Sequence, residues 1–340
     1  MSKTAVVIYN LGGPDSLEAV RPFLQNLFSD PQILRVPGLL RVALAWFIAW
    51  RRTSAARQIY QQIGGRSPIL PETNKQAAAL QSLLGESYRV FIAMRYWHPL
   101  VDSVVSSIKD WSPDQVVLVP LFPQFSTTTT GSFMRVWQSA TKKAGLFLPT
   151  AQACCWPEAE GFVGAIARLT DQAIATVPDN TPCRILFSAH GLPERFIVAG
   201  DPYAAQVERT VASVCARLKN PSVDHVVCYQ SRVGPLEWLR PYTEDEIRRA
   251  GEEGVSVVLV PVAFVSEHSE TLVELDIEYR ELARKAGVFK YLRVPTVNTD
   301  NKFIESLAAM VRSMPKTGIV PGGSACNGGF VDCPCANTAA

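Results

Sequence analysis

Four histidines are present, His98, His190, His225 and His268, and two of them stand where a parallel sheet presents reactive groups. His190 closes the apolar run Ile185-Leu-Phe-Ser-Ala189 and precedes Gly191-Leu192-Pro193. His268 follows the run Val257–Val265, inside Ser266-Glu267-His268-Ser269-Glu270. Open α/β sheets bind ligands just past the carboxyl ends of their strands. Imidazole, with an unperturbed pKa of about 6.5, accepts a proton near neutrality and ligates metals when neutral. One histidine at a strand end is as readily structural as functional; two can face one cleft.

Beyond His268 come Glu270, Glu274 and Glu278, spaced i, i+4 and i+8, one face of a helix. Like charges at that spacing repel by about 0.2–0.5 kcal/mol per pair. A solvated acidic face, offset by Arg280, Arg284 and Lys285, is one reading. The other is a file of carboxylates handing a hydrated divalent cation towards imidazole, a donor set that suits Fe, Zn or Mn more than Ca. The C-terminus adds Cys326-Asn-Gly-Gly-Phe-Val-Asp-Cys333-Pro-Cys335. In a reducing compartment such a group favours metal over disulfide. Its C-x₆-C-x-C spacing is neither the paired C-x₂₋₄-C of zinc sites nor a bacterial ferredoxin run. A thiolate-ligated cluster is expected, with a flexible tail or zinc as alternatives. The fourth ligand then comes from Cys154, Cys155, Cys183, Cys215 or Cys228. No phosphate-binding G-x-x-x-x-G-K-[ST] or G-x-G-x-x-G competes, and no G-x-S-x-G nucleophile elbow.

Composition excludes several classes. Thirty-three Lys and Arg against 31 Asp and Glu leave +2, so no bulk basic field awaits nucleic acid. Hydrophobic residues at 47 % exclude intrinsic disorder. Eight cysteines in 340 residues are too sparse for a disulfide-framed module. Met1-Ser-Lys-Thr4 leads straight into Ala5–Tyr9, too short for a signal peptide, and Val36–Trp50 is too short to span a membrane. The expected compartment is the cytosol.

These side chains need a scaffold that ends strands beside one another. Strands are expected at Ala5–Asn10, Arg89–Tyr96, Gln115–Pro120, Ala151–Trp156, Arg184–Ala189, His225–Gln230, Ser256–Val265 and Tyr291–Pro295. Amphipathic helical segments lie between, among them Asn74–Leu84, Asp201–Leu218, Glu244–Ala250 and Glu270–Ala286. That alternation predicts an α/β protein with parallel sheets covered by helices. Val116-Val-Leu-Val-Pro120 recurs as Val257-Val-Leu-Val-Pro261, offset by 141, and Val7–Pro14 resembles Leu186–Pro193, offset by 179. The expected architecture is two Rossmann-like lobes, each a four-stranded parallel sheet: residues 1–160, residues 161–315, and a Cys-rich tail at 316–340. An insertion falls at 31–71, where no acidic residue occurs. There Leu39, Leu40, Val42, Leu44, Trp46, Phe47, Ile48 and Trp50 are too many large apolar residues to face one core, and an exposed lip is expected.

Ser188-Ala-His190-Gly-Leu-Pro193, with Gly200-Asp-Pro-Tyr203 behind it, resembles the signature of the ferrochelatases. The resemblance continues through Asn10–Pro14, Ile63–Ile69, Met94–Pro99, Pro120–Ser132, Gln230–Pro235 and Phe264–Leu272, in order along nearly the whole chain. It implies a chelatase-like fold and insertion of Fe²⁺, the substrate, into protoporphyrin IX to give protohaem. By the same resemblance His190 is the active-site histidine, Glu270 its partner carboxylate, and His268 a second histidine beside them. Glu274 and Glu278 match an acidic path for metal or protons. Leu11, Arg52, Tyr60, Ser67, Arg95, Tyr96 and Trp238 match porphyrin-binding positions. The implied cofactor is a 2Fe–2S cluster on Cys326, Cys333 and Cys335. The family's animal members space these ligands C-x₂-C-x₄-C, so this tail departs from them, and Cys155 is chosen as the fourth ligand. The expected partners are porphyrin and Fe²⁺, the inner membrane through residues 36–50, and a second copy of the chain. Rival readings are a coproporphyrin ferrochelatase, which would want a more polar mouth, and a two-lobed tetrapyrrole- or metal-binding protein without turnover.

Overall fold

The alternating pattern folds as two parallel sheets. The computed structural model describes residues 2–178, 181–322 and 330–335. The chain divides into two compact units, residues 1–154 with 307–320, and 155–306 with 321–340.

The first unit runs β1 (Thr4–Asn10), α1 (Val20–Phe28), α2 (Gly38–Gln61), α3 (Ile69–Leu84), β2 (Tyr88–Met94), α4 (Val101–Trp111), β3 (Gln115–Pro120), α5 (Thr130–Ala144) and β4 (Thr150–Ala153). In the second, α6 (Glu160–Ile174) leads to β5 (Cys183–His190), α7 (Glu194–Val198), α8 (Tyr203–Cys215), β6 (Asp224–Gln230), α9 (Thr243–Glu252) and β7 (Ser256–Pro261). A π-helix (Glu270–Glu278), α10 (Tyr279–Lys285) and β8 (Tyr291–Arg293) follow. Then α11 (Asn301–Ser313) leads back to β9 (Gly318–Val320) of the first unit.

The first sheet has the order β2-β1-β3-β4-β9 and the second β6-β5-β7-β8, every pairing parallel. The internal repeat fits this register. Val7 pairs with Leu118, and their counterparts at offsets of 179 and 141, Leu186 and Leu259, pair with each other. The first sheet has five strands where four were expected, because Gly318-Ile-Val320 pairs with Ala151–Ala153. Three residues are too few for periodicity to declare a strand. The run Ser256–Val265 stops being strand at Pro261, since proline offers no N–H to continue a ladder.

Alternate residues of each central strand point to opposite faces, and both faces are covered. Ala5, Val7 and Tyr9 pack with Val105, Phe133 and Trp137, and the Tyr9 ring stacks on Phe133 at 3.7 Å between centroids. Such a pair adds roughly 0.5–1.5 kcal/mol beyond area burial. A second cluster joins Val20, Phe23, Leu24 and Phe28 of α1 to Ala45, Ala49 and Tyr60 of α2. In the second unit Leu186, Leu259, Ile247, Leu275 and Tyr279 share one core. The 24-residue α2 buries only Ala45, Ala49 and Tyr60. Leu39, Leu40, Val42, Trp46, Phe47 and Trp50 are exposed, Leu39 by 92 %. Among the described residues no helix is long and apolar enough to cross a membrane.

Close backbone approach in the second unit depends on Gly251 in α9. A Cβ there would sit 2.0 Å from the Ala286 carbonyl oxygen, just past α10. Gly251→Ala is therefore expected to destabilise the chain by about 1–3 kcal/mol, read as a lower urea midpoint. An unchanged midpoint would contradict this packing.

Candidate active site

His190 is the last residue of β5 and pairs with Gln230, the last of β6. The strand end is pinned from outside the sheet, since the Tyr203 hydroxyl donates to the His190 carbonyl at 2.9 Å. Nine residues beyond the end of β7 the chain enters not an α-helix but a π-helix beginning at Glu270. The expected single helix over Glu270–Ala286 is thus two elements, a π-helical stretch followed by α10. Apolar periodicity does not separate the two windings; π segments are frequent at functional sites.

One oxygen, Glu270 Oε2, lies 3.0 Å from His190 Nδ1 and 3.5 Å from His268 Nε2. The three residues singled out at strand ends therefore meet within the second unit. Burial alone would push the Glu270 carboxyl up. The attraction of His190 and hydrogen bonds from both histidines outweigh that and hold it far below the ordinary carboxylate range. His190 shows the reciprocal effect: burial lowers its pKa, but the Glu270 charge and hydrogen bond raise it more, with a contribution from Glu274. His268 is buried, its Nδ1 3.3 Å from the Ser266 carbonyl oxygen and its main-chain N–H donating to Thr271 Oγ1 at 2.9 Å.

Glu274, one winding further on, behaves oppositely to Glu270. Burial and the neighbouring Glu270 charge raise its carboxyl above the ordinary value, against hydrogen bonds from Ser231 and Tyr279. The Ser231 N–H donates to Oε1 at 2.9 Å, its hydroxyl to Oε2, and the Tyr279 hydroxyl to Oε1 at 3.1 Å. Ser231 adopts the left-handed backbone, φ 65°, to aim both donors at one carboxylate. Glu278 lies exposed at the end of the row. Trp238 is also in this unit, bridged to Pro193 just after His190, with its indole N–H donating to the Val233 carbonyl at 3.2 Å.

The remaining expected porphyrin positions lie in the first unit. Arg95 Nη2 is 2.7 Å from Asp30 Oδ2, and Nε donates to Ser132 Oγ at 2.7 Å. The Tyr96 hydroxyl donates to the same Asp30 oxygen at 2.6 Å, as does the Ser132 hydroxyl. Burial, then the Asp30 charge, raise the Tyr96 phenol so far that it stays a donor. Ser67 and Tyr60 are buried, Leu11 packs on the α1–α2 cluster, and the Arg52 guanidinium lies 5.7 Å from the Phe28 ring centroid. Sequence reading did not single out Asp30, Ser132, Ser231, Tyr203 or Tyr279. Asp30 carried a signal nonetheless, as the last acid before the acid-free stretch to Pro71. Ser231 stood within a quoted motif without a role.

Cys155, Cys333 and Cys335 are buried in the second unit, and Cys154, which ends the first, is buried too. Cys326 lies outside the described residues.

Two parallel sheets of matching order, one of them presenting a half-buried imidazole–carboxylate site at its strand ends, define a protein of the chelatase class. The SirB structure from Bacillus subtilis with Fe³⁺ shares the fold, with a TM-score of 0.57 at 11 % identity over 91 % of this chain and 94 % of that one. The ferrochelatase family model matches residues 3–314. A ferrochelatase from Caulobacter vibrioides is 50 % identical over 98 % of this chain and 97 % of its own length. One from a Wolbachia strain of Drosophila simulans is 48 % identical over 92 % of this chain and all of its own. The chain belongs to the ferrochelatase family. It is accordingly a metal-insertion lyase that places iron in a porphyrin during haem biosynthesis.

Removing the Asp30 carboxylate would leave the largely buried Arg95 guanidinium without its counter-charge. Asp30→Ala is expected to cost about 3–5 kcal/mol, measured by urea unfolding. A loss below about 1 kcal/mol would show the cluster to be energetically idle.

Proposed function

We propose that the chain inserts Fe²⁺ into protoporphyrin IX with His190 and Glu270 as the reacting pair. The observation that carries this is the 3.0 Å contact between His190 Nδ1 and Glu270 Oε2 at the end of β5. Insertion replaces two pyrrole protons by one metal ion, so two protons leave for each iron that enters. His190, made more basic than free imidazole by the Glu270 charge, takes a proton from the macrocycle; Glu270 stabilises the resulting imidazolium. Glu274, with its carboxyl held above the ordinary range, receives that proton and passes it towards exposed Glu278, and the second pyrrole proton leaves by the same relay once His190 is neutral again. The same acidic row leads hydrated Fe²⁺ inward; neutral His190 and Glu270 ligate it as water is shed and release it to the ring before His190 takes a proton, since an imidazolium has no lone pair for metal. His268 holds the second side of the Glu270 carboxylate.

Leu11, Arg52, Tyr60, Ser67, Arg95, Tyr96 and Trp238 take the porphyrin in this reading. A flat apolar ring suits Trp238, and Arg52 suits the propionates. The exposed apolar residues of α2 favour protoporphyrin over the four-carboxylate coproporphyrin. A carrier without turnover needs no proton acceptor, which argues against the non-catalytic alternative. The same apolar face, with Arg41, Arg51, Arg52 and Arg57 on its helix and no acid, supports peripheral contact with the inner membrane from the cytoplasm.

Cys326, Cys333 and Cys335 would hold a 2Fe–2S cluster, with Cys155 as fourth ligand and Cys154 as its alternative. The donor set is all thiol, and buried where described. Gly322 gives the tail room beside Cys155, since a Cβ there would lie 2.5 Å from the Cys155 sulfur. A bound cluster would supply a one-electron redox centre and a covalent tie for the tail. Visible absorption and acid-labile sulfide in anaerobically purified protein are the expected signs. A colourless, sulfide-free preparation would refute the cluster and leave iron insertion untouched.

Anaerobic Fe²⁺ and protoporphyrin IX with the purified chain should yield protohaem. No product, or an undiminished rate in His190→Ala, would overturn the reading. Glu270→Gln is expected to fold normally while kcat falls about 100-fold. Neutral His190 is the active form, so the rate declines as pH drops through its raised pKa. Removing the Glu270 charge should move that acid limb to lower pH. Near-wild-type turnover with an unmoved limb would make the carboxylate structural.

A further inference from the structure

The segment that carries His268, Glu270 and Glu274 is gripped at both ends by one side chain from a different element. Arg293, on β8, is largely buried. Its Nη1 lies 2.7 Å from Glu267 Oε1, immediately before His268, and its Nη2 3.4 Å from Asp276 Oδ2, two residues past Glu274. We infer that Arg293 is a positioning residue for iron insertion, setting the placement of the π-helical acids against His190. The inference rests on the reading of Glu270 and His190 given above.

Each end of the grip is reinforced. Glu267 Oε1 also accepts the Thr296 N–H at 3.1 Å, which ties it to the loop after β8. Asp276 is shared with Arg280, whose Nη1 reaches the Tyr291 carbonyl of β8 at 3.3 Å. The Tyr291 hydroxyl donates to the Leu275 carbonyl within the π-helix. A three-residue edge strand thus holds the π-helix by the Arg293 side chain and by the Tyr291 hydroxyl. β8 is itself fixed to β7 through the register Leu259↔Arg293. Since β7 pairs with β5, which ends on His190, a continuous frame runs from Arg293 to the imidazole. A planar guanidinium meets two carboxylates at a fixed spacing, which an ammonium on a flexible stem does not.

The test uses the full chain with three variants, reading kcat and the porphyrin KM separately and unfolding by urea. The porphyrin contacts proposed above lie outside this grip, so loss of position should appear in kcat. Arg293→Met is expected to lower kcat about tenfold or more, since a small misplacement of reacting groups is enough for that. Porphyrin KM should stay within about twofold, and Arg293→Lys should recover part of the rate. A folded Arg293→Met with kcat near wild type, or a rise in KM alone, would overturn the inference even if its stability had fallen. Should Arg293→Met fail to fold, Asp276→Asn severs only the far grip; it should lower kcat at constant KM, and an unchanged kcat would overturn the inference. An inactive wild-type chain would instead indict the reading of the reaction itself.

Discussion

The structure depends most on one half-buried carboxylate shared between two imidazoles. Glu270 in isolation would be driven towards its neutral acid by burial, and only the His190 and His268 contacts keep it charged. That charge raises the basicity of His190 and, one winding on, makes Glu274 harder to ionise. Three groups with divergent proton affinities follow from one placement. Contacts from several elements hold these groups in place. Tyr203 pins the strand end behind His190, Ser231 in a left-handed backbone clamps Glu274, and Arg293 spans the segment between.

The duplicated sheet explains why these groups gather where they do. Both sheets place their first strand centrally and add the third beside it, so the ends of β5, β6 and β7 are adjacent. The halves then diverge. The second sheet spends its strand ends on His190 and the π-helix. The first inserts α2 after β1 and builds a buried cluster of Asp30, Arg95, Tyr96 and Ser132. The clusters differ in kind. In the first, Asp30 Oδ2 is met by Arg95, Tyr96 and Ser132 together; in the second, a carboxylate lies 3.0 Å from an imidazole nitrogen.

Much of this was legible in the residues. The repeat agrees with the register of the strands, since Val7 pairs with Leu118 and their counterparts Leu186 and Leu259 pair with each other. His190 and Glu270 were legible because strand ends in parallel sheets present ligands and because their motifs resemble a known family. The π-helix was not legible, since its apolar spacing passes for an α-helix and its long-range contacts, from Tyr291 and Arg293 of β8, show only in the fold. β9 was too short to declare itself. Asp30 and Arg293 belong to a general class that sequence hides: charged residues whose partners are distant in the chain, Asp30 and Arg95 being 65 residues apart. Only the fold shows that their charges are buried and matched.

The Glu270 charge and hydrogen bond raise the basicity of His190 above that of free imidazole. With only four histidines in the chain, each ring can be followed by NMR in ¹⁵N-histidine-labelled protein across a pH titration. The account requires His190 to titrate above the ordinary value of about 6.5 and to fall in Glu270→Gln. A His190 titration at or below the ordinary value, unmoved by that substitution, would contradict it.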